Sequence, residues 1–536
     1  MFSGPLAVLA VLHSATVTLG ARYFRQAAGI PSFDHDFMIV GGGNAGGVVA
    51  SRLGEVADYN ALATEAGPSD KDVFDIQVLA LAANIWFGSS VDWNFTTSPQ
   101  VNAGNQILEY PRAKIRGEYG KLASPNVASL SEQGQYDPAL HSKDGKLGVT
   151  APFSDHPLND LLLEATNQLS NEYPFLQDLN GGRPIGLGAH CRVGQAIIAH
   201  GSRSSSASAY LSHASDNVHV LLNTSVSRVV PTAESGGNDF RTIELRAGSD
   251  NATMKLTANK EVVVSAGVIQ TPQRLLLSGI GPKDELDTLG ITTFVDNPSV
   301  GKNFSDHVTI SIKFLTDLPS TSFDETEALA QWKSNHTGRF ALSQHMPQTG
   351  WVRFPEDSPP FRDGATDPTA GLNLPHVEVF FVGISEGQGG NMTLSVNIVD
   401  LTPVPRGSLT LATESPFDQP IIDPALLTSP LDTAILLEGF CDTPAPPSGG
   451  SIADEEVIRY IQNNANSFGH GAGTCSTAPF EVSWGVVDPD FRLRDVKGLR
   501  IVDASVLPFV ASEHLQAPVY ALAEWASDVI KCSHSS

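Results

Sequence analysis

The chain has 536 residues, a formal net charge of −25 and only 17% charged residues. Hydrophobic residues make up 41% of it, and with 48 glycines they suffice for a large core, which excludes wholesale disorder. An acidic chain without clustered Lys and Arg is not expected to bind nucleic acid or an anionic membrane surface. The length predicts at least two domains, or one domain with large insertions.

The N-terminus resembles a secretory signal peptide over residues 1–21, with an apolar run at 6–12 followed by small residues. No later stretch has 18 uninterrupted apolar residues, so no membrane span is predicted. Together with the leader, six N-x-[ST] sequons favour a secreted, extracellular glycoprotein. The sequons begin at Asn94, Asn223, Asn251, Asn303, Asn335 and Asn391.

The first predicted elements form a β-α-β unit. An apolar strand covers residues 37–40, a helix covers 46–57 and a weaker strand covers 60–66. Further along, residues 260–267 predict a buried strand, and Pro272 predicts the first position of the helix that follows, because proline is favoured there.

The second half of the chain changes character. Between residues 308 and 432, strand-like runs alternate with turns rich in Pro and Gly, which indicates a separate sheet domain. A helix is predicted over 455–465, a short strand over 499–502 and a terminal helix over 516–530.

The four cysteines are Cys191, Cys441, Cys475 and Cys532. None has C-x-x-C spacing, so neither a zinc site nor a redox motif is predicted, and we expect no metal. A single bridge such as Cys441–Cys475 is left open. The chain also lacks G-x-S-x-G, H-E-x-x-H and G-x-x-x-x-G-K-[ST], which argues against a hydrolase or a phosphate-loop enzyme.

A glycine-rich turn stands between the first strand and the first helix. In the run Gly41-Gly42-Gly43-Asn44-Ala45-Gly46, Gly41 permits a tight turn, Gly43 lets the backbone approach a pyrophosphate and Gly46 lets the helix pack on the strand. The helix N-terminus offers N–H groups to the phosphates. Glu65, twenty-two residues after Gly43, would accept a hydrogen bond from a ribose hydroxyl. The motif predicts a dinucleotide site without distinguishing FAD from NAD.

Segments spread over residues 34–530 resemble the glucose–methanol–choline (GMC) oxidoreductases, which are FAD enzymes that oxidise alcohols. They are Asp36-Phe37 through Gly46, Glu65-Ala66-Gly67-Pro68, Asp92-Trp93-Asn94-Phe95, Tyr110-Pro111-Arg112, Gly267 through Gly281, Asn297 through His307 and Asn463 through Pro518. The sequence of residues 483–489 is most similar to the fungal aryl-alcohol oxidase branch of the family.

The resemblance implies a fold of class α/β, with a Rossmann-like FAD-binding domain and an α+β substrate-binding domain built on a mostly antiparallel sheet. The FAD domain would occupy residues 34–307 discontinuously, and the substrate domain residues 308–453. Residues 454–530 would return to the FAD domain with the catalytic histidines. A monomer acting on a small-molecule alcohol is expected, with O2 or another electron acceptor.

The resemblance also implies roles for single residues. Val226 matches a position that touches adenine through its backbone, and Asp503 and Ala504 match the segment beside the pyrophosphate and flavin. His470 matches the catalytic base and His514 the second active-site histidine. A neutral imidazole, with a pKa near 6.5, accepts the alcohol proton while hydride passes to flavin N5. In oxidases of the family O2 then takes the electrons and gives H2O2.

The resemblance is interrupted after Arg112, where the family has a Gly-rich flavin loop. Here only Gly117 keeps the pattern and Glu118 stands in place of a glycine; a second contraction falls at residues 441–451. A truncated or misassembled reading frame and a decayed paralogue both explain such gaps. Two alternatives to an active alcohol oxidase therefore remain: an FAD dehydrogenase that uses quinone-type acceptors, and a non-catalytic relic that binds FAD poorly.

Overall fold

A computed structural model describes residues 20–30, 34–78, 81, 84–85, 88–114, 145–148, 158–171, 173–176, 179, 181–188, 198–232, 237–247, 252–319, 323–341, 349–387, 390–442 and 453–535. Almost all of the predicted leader lies outside these residues, as do Glu118, Cys191 and the sequon at Asn251. Within the described ranges, no helix is both long and apolar enough to span a bilayer.

The described residues form ten α-helices: α1 Asn44–Leu53, α2 Phe74–Gln77, α3 Leu158–Gln168, α4 Ser206–Ala209, α5 Gly267–Leu277, α6 Lys283–Thr288, α7 Glu325–Asn335, α8 Pro430–Asp442, α9 Asp454–Asn464 and α10 Gln516–His534. Their strands are β1 Arg22–Phe24, β2 Phe37–Val40, β3 Ala61–Thr64, β4 Phe95–Thr96, β5 Glu109–Tyr110, β6 Gly186–Leu187, β7 Ile198–Ala199, β8 Ser202–Arg203, β9 Val218–Leu221, β10 Thr224–Val230, β11 Thr242–Ala247, β12 Ala252–Thr257, β13 Glu261–Val264, β14 Ile280–Gly281, β15 Val295–Asp296, β16 Lys302–Phe304, β17 Val308–Thr316, β18 Thr349–Val352, β19 Val377–Glu386, β20 Met392–Asp400, β21 Gly407–Thr410, β22 Ile421–Asp423, β23 Asn466–Ser467 and β24 Leu499–Ile501.

A six-stranded parallel sheet is built in the order β1-β9-β3-β2-β13-β24. Every residue of β2, β3, β9 and β13 is buried, because helices and loops cover both faces of a parallel sheet. The four strands predicted near 37–40, 60–66, 260–267 and 499–502 all lie in this sheet. Together with α1, which connects β2 to β3, they confirm the Rossmann-like α/β fold.

A second six-stranded sheet is antiparallel throughout, in the order β23-β17-β20-β19-β18-β6. Its long strands come from residues 308–400, as predicted, whereas its edge strands β6 and β23 come from elsewhere in the chain. Strand β21, which also lies in the region predicted to be rich in strands, pairs instead with β16 and β22. Leu409 of β21 and Ile422 of β22 belong to the core of the parallel sheet, so this small three-stranded sheet packs with the parallel one.

Helix α1 is covered by the C-terminal helix α10. Arg52 of α1 makes ion pairs with Glu524 and Asp528 of α10. The Tyr520 hydroxyl of α10 donates a hydrogen bond to Asn44 Oδ1 in the first turn of α1, at 3.2 Å. The first and last helices of the fold are therefore held together directly over the glycine-rich turn.

Helix α5 begins at Gly267, so the prediction that Pro272 opens it is wrong. The Asp503 carboxylate accepts hydrogen bonds from the Gly267 N–H (2.9 Å) and starts the helix early. Inside a helix, Pro272 leaves the carbonyl of Val268 without its usual partner. Thr474 Oγ1 donates to that carbonyl at 2.7 Å, which is why the proline is tolerated.

The bridge between Cys441 and Cys475 that the sequence left open does not form. Cys475 is a free thiol, fully buried beside Ser505, whose carbonyl accepts the Cys475 N–H at 2.8 Å. Burial raises the pKa of this thiol well above its ordinary value, so it stays protonated. Cys475 is therefore an apolar core residue.

Candidate active site

The glycine-rich turn lies at the carboxyl end of β2. Helix α1 starts at Asn44, and Gly43 at its N-cap offers no side-chain acceptor to the first turn. Gly41 has a φ of +105°, and a Cβ there would lie 2.4 Å from the Ser265 carbonyl oxygen. A Cβ on Gly46 would lie 1.9 Å from the Gly41 carbonyl oxygen. Gly41 and Gly46 therefore have no room for a side chain, and the first-turn N–H groups, including that of Ala45, face the end of the sheet.

Glu65 follows β3 and is buried beside this turn. Its Oε2 accepts the Gly42 N–H at 2.9 Å, and its Oε1 accepts the Gly67 N–H at 2.8 Å. Burial raises the pKa of the carboxyl against the opposing effect of these N–H groups. Strand β10 starts alongside, since the Thr224 N–H donates to the Glu65 carbonyl at 2.9 Å, and Val226 lies two residues further on.

Asp503 follows β24 at the same edge of the sheet and is buried. Besides Gly267 it binds the Thr271 hydroxyl (2.6 Å) and the Ser505 N–H (2.8 Å), so that it joins α5 to the turn that starts at Ala504. Asp503 therefore links helix α5 to the turn that starts at Ala504 through hydrogen bonds, a structural role that the sequence did not reveal. Ser265, at the end of β13, has a buried hydroxyl without a hydrogen-bond partner among the described residues.

These groups fit a bound dinucleotide. Ligands of open α/β sheets bind at the carboxyl ends of the strands, where β2, β3, β13 and β24 all end. The N-terminus of α1 has no side-chain cap, so its N–H groups can bind the pyrophosphate. The buried Glu65 carboxylate can accept a hydrogen bond from a ribose hydroxyl. The buried Ser265 hydroxyl, which has no partner among the described residues, can donate to a ligand acceptor.

The two histidines singled out by the sequence meet in the fold. His470 follows β23 and His514 precedes α10, and their ring centroids lie 4.7 Å apart at an interplanar angle of 66°. The ring of Phe468 packs edge-on against both, at 4.8 Å from His470 and 5.6 Å from His514. All three side chains are partly exposed, as a site that admits substrate requires.

Glu378 is a site residue that the sequence analysis missed. It lies on β19 with only 2% of its side chain exposed, and His514 Nε2 donates to its two carboxylate oxygens, each at 3.1 Å. Thr349 Oγ1 donates to Oε1 as well, at 2.9 Å. A carboxylate at this distance stabilises an imidazolium. The signal was a single acid in the otherwise apolar strand run Val-Glu-Val-Phe-Phe-Val.

Asp306 and His307 were quoted only as part of the resemblance, yet both hold His470. Asp306 accepts the His470 backbone N–H at 2.7 Å, and also the hydroxyls of Tyr110 (2.6 Å) and Ser467 (2.5 Å). His307 is fully buried, and its Nδ1 lies 3.0 Å from His470 Nδ1. Burial lowers the pKa of His307 to about 3, so this ring is neutral at any working pH.

Within the described part of the chain, no three His, Cys, Asp or Glu side chains are arranged to hold a metal ion.

A dinucleotide-binding sheet with a histidine pair beside an antiparallel sheet is the arrangement expected of a flavin-dependent oxidoreductase. The chain belongs to the GMC oxidoreductase family: two family models described as GMC oxidoreductase match residues 122–309 and 403–523. This confirms the resemblance found in the sequence, and FAD is the cofactor. Bound FAD would be held by the glycine-rich turn, by Glu65 and by the segment at Asp503 and Ala504, which follows β24 at the carboxyl edge of the parallel sheet.

Known proteins agree with this placement. The chain is 39% identical over 572 aligned residues to a pyranose dehydrogenase of Agaricus campestris, and the alignment covers 94% of each chain. The alignment is longer than the chain, so this relative has internal segments that the chain lacks. Two solved structures share the fold: an Aspergillus oryzae formate oxidase (TM-score 0.79, 23% identity, 94% of this chain and 98% of the other) and a fungal aryl-alcohol oxidase (0.74, 23%, 94% and 99%).

Proposed function

We propose that the protein is a secreted FAD dehydrogenase that oxidises a hydroxyl group of a pyranose sugar to a carbonyl, with a quinone-type electron acceptor. The substrate class is supported by the similarity to a pyranose dehydrogenase along almost the whole chain. The sequence of residues 483–489 favours the aryl-alcohol branch, but this branch has weaker support. The solved aryl-alcohol oxidase is only 23% identical to the chain, so its similarity supports a common fold and not a common substrate.

The observation that carries the proposed chemistry is that the two histidines have different partners. His514 is bound to a buried carboxylate, and His470 to a neutral imidazole. His514, held by the Glu378 carboxylate, stabilises the alkoxide oxygen that develops on the substrate. His470 accepts the hydroxyl proton as general base.

These residues divide the reaction as follows. The substrate hydroxyl lies between His470 and His514, loses its proton to His470 and is held by His514 while the carbonyl forms. When bound, FAD supplies the acceptor for the hydride that leaves the carbinol carbon and passes the two electrons to the external acceptor. Phe468 packs against both rings and limits their rotation.

The first experiment tests the base. Purified wild-type protein, H470A and H514A are mixed anaerobically with D-glucose, and bleaching of the flavin absorbance is followed. We expect H470A to lose about 10²- to 10⁴-fold in reduction rate, the usual contribution of a positioned general base. H213A, which truncates an exposed histidine, is the matched control and should reduce its flavin normally. Normal reduction in H470A would remove the assignment.

A second experiment separates the substrate and acceptor classes. Wild-type protein is assayed with D-glucose and with 4-methoxybenzyl alcohol, in each case with benzoquinone or with O2 as acceptor and H2O2 as a readout. Turnover of glucose with benzoquinone supports the proposal. Turnover of the benzyl alcohol with H2O2 release supports the aryl-alcohol oxidase instead, for which the ring of Phe468 beside both histidines is the favouring observation. A purified protein without flavin absorbance, even after added FAD, would point to the non-catalytic relic.

A further inference from the structure

We infer that His307 is a positioning residue that accepts the Nδ1–H of His470 and thereby places the His470 lone pair on Nε2, the nitrogen that takes the substrate proton. This inference rests on the proposed role of His470 as base. It assigns to His307 a function that is separate from substrate or cofactor contact.

The contact itself is direct. The two Nδ1 atoms lie 3.0 Å apart, and the ring centroids lie 5.1 Å apart with the planes at 79°. At this distance one nitrogen must carry a proton and the other a lone pair, because two N–H groups or two lone pairs would repel each other. The pair therefore exists in one of two arrangements, and the surroundings of His307 decide between them.

His307 has no contact with solvent. It is fully buried, and its own carbonyl accepts the Phe468 N–H at 2.9 Å, which fixes the backbone beside β17 and β23. The backbone carbonyls of Ala511 and Leu401 lie near the ring and act to raise its pKa, although burial dominates and keeps it low. Its Nε2 makes no hydrogen bond of normal geometry among the described residues.

Those carbonyls select the tautomer of His307. Because Nδ1 of His307 faces His470, the proton that these carbonyls favour on the ring is placed on Nε2. The single proton of the neutral ring is thus on Nε2, and the lone pair is on Nδ1. His470 must then be the donor of the 3.0 Å bond through Nδ1, which leaves its own lone pair on Nε2.

The neighbouring residue completes the arrangement. Asp306 accepts the backbone N–H of His470, so consecutive residues of one loop hold both the backbone and the ring of the base. The other charged groups around the pair are His514 with Glu378, and Arg112, whose guanidinium lies near Gly469 and Gly471. His470 Nδ1 itself lies against the neutral His307 ring, 3.0 Å from its Nδ1.

The arrangement predicts a shift in the pH profile. An acceptor bonds an imidazolium N–H more strongly than a neutral imidazole N–H, so His307 favours the protonated form of His470. Without it, the acid limb of kcat/KM should move down by about half a pH unit to one pH unit, a three- to tenfold change in the protonation equilibrium. A merely structural role would leave this limb in place.

The test compares H307L with H307N. Leucine fills the site without an acceptor, whereas the asparagine Oδ1 occupies nearly the place of Nδ1 and accepts the same bond. In H307L we expect flavin reduction by D-glucose to slow by about 10- to 100-fold with a substrate dissociation constant within about threefold of wild type, together with the lowered acid limb. H307N should restore the rate to within about threefold. Wild-type kinetics in H307L, or equal impairment in H307N, would overturn the inference.

A measurement on the wild-type protein makes the test independent of the variants' folding. With ¹⁵N-labelled histidine, the shifts of the two His470 nitrogens show which carries the proton, and H470A identifies the signals. A protonated Nδ1 supports the inference and an unprotonated one refutes it. Normal flavin reduction in H470A would instead refute the proposed base, so the two failures are distinguishable.

Discussion

Replacing Asp432 by asparagine tests a buried pair of acids in the antiparallel layer. Asp400 ends β20 and Asp432 lies in the first turn of α8, and both are fully buried. Asp400 Oδ1 accepts the Thr402 N–H (2.9 Å) and Asp432 Oδ1 accepts the Val404 N–H (3.1 Å), whereas neither Oδ2 has a hydrogen-bond partner among the described residues. Burial raises the pKa of Asp432 to about 7, and burial with the charge of Asp432 raises that of Asp400 well above its ordinary value.

The direction of the pH effect follows from these shifts. The ordinary pKa of an aspartate is 3.8, so between that value and about 7 the folded state binds a proton at Asp432 that the unfolded state releases. The free energy of unfolding therefore falls as the pH rises through this window. Each unit costs about 1.4 kcal/mol, so the full loss is about 4 kcal/mol, with the nearby Arg406 guanidinium acting in the opposite direction.

In D432N the side chain cannot ionise, and the amide oxygen keeps the bond to Val404. We expect the free energy of unfolding to lose the pH dependence that Asp432 contributes between pH 4 and pH 8, while the burial of Asp400 keeps its own contribution, and to exceed that of wild type at pH 8 by about 2–4 kcal/mol. Urea unfolding followed by tryptophan fluorescence at pH 5 and pH 8 measures both. D363N, at an exposed position, should leave the profile unchanged. An equal loss of stability with pH in wild type and D432N would refute the reasoning.

Three further changes test other parts of the fold. In G46A the new methyl group would lie 1.9 Å from a backbone oxygen of the glycine-rich turn, so the protein should purify without flavin absorbance, whereas G371A, where nothing lies within 4 Å, should keep it. T474V removes the hydroxyl that bonds the Val268 carbonyl and should lower the free energy of unfolding by about 1–2 kcal/mol in urea titrations. Asn303 donates its amide hydrogens to a serine hydroxyl and a proline carbonyl, so glycopeptide mass spectrometry should find this sequon unmodified in secreted, folded protein; a glycan there would contradict the two bonds.

The parallel sheet could be predicted because its strands carry local signals. Residues 37–40 and 261–264 are apolar runs of strand length, and the glycine pattern between β2 and α1 has a steric cause that the structure shows at Gly41 and Gly46. Helix α5 could not be predicted correctly, since its start depends on Asp503 and its tolerance of proline on Thr474, both more than 200 residues away.

The residues of the candidate site also differ in whether the sequence could predict them. His470 and His514 were identified because the segments around them resemble the family, and not through hydrophobic periodicity. No local pattern could indicate that their rings meet. Glu378 and His307 were missed because a strand acid and a loop histidine acquire their roles only from partners 136 and 163 residues away. Long-range side-chain pairs of this kind are outside what periodicity reports.

The packing of α10 over α1 has a consequence for biosynthesis. During translation the glycine-rich turn and α1 leave the ribosome long before the helix that covers them, since Tyr520 of α10 is 476 residues after its partner Asn44, and β24 at the edge of the parallel sheet is also made late relative to α1. Domains generally fold as units while the chain emerges, yet this nucleotide site is incomplete until residues 499–534 are free. The cofactor is therefore expected to be captured only after α10 has emerged, and a chain that lacks β24 and α10 should fail to retain it.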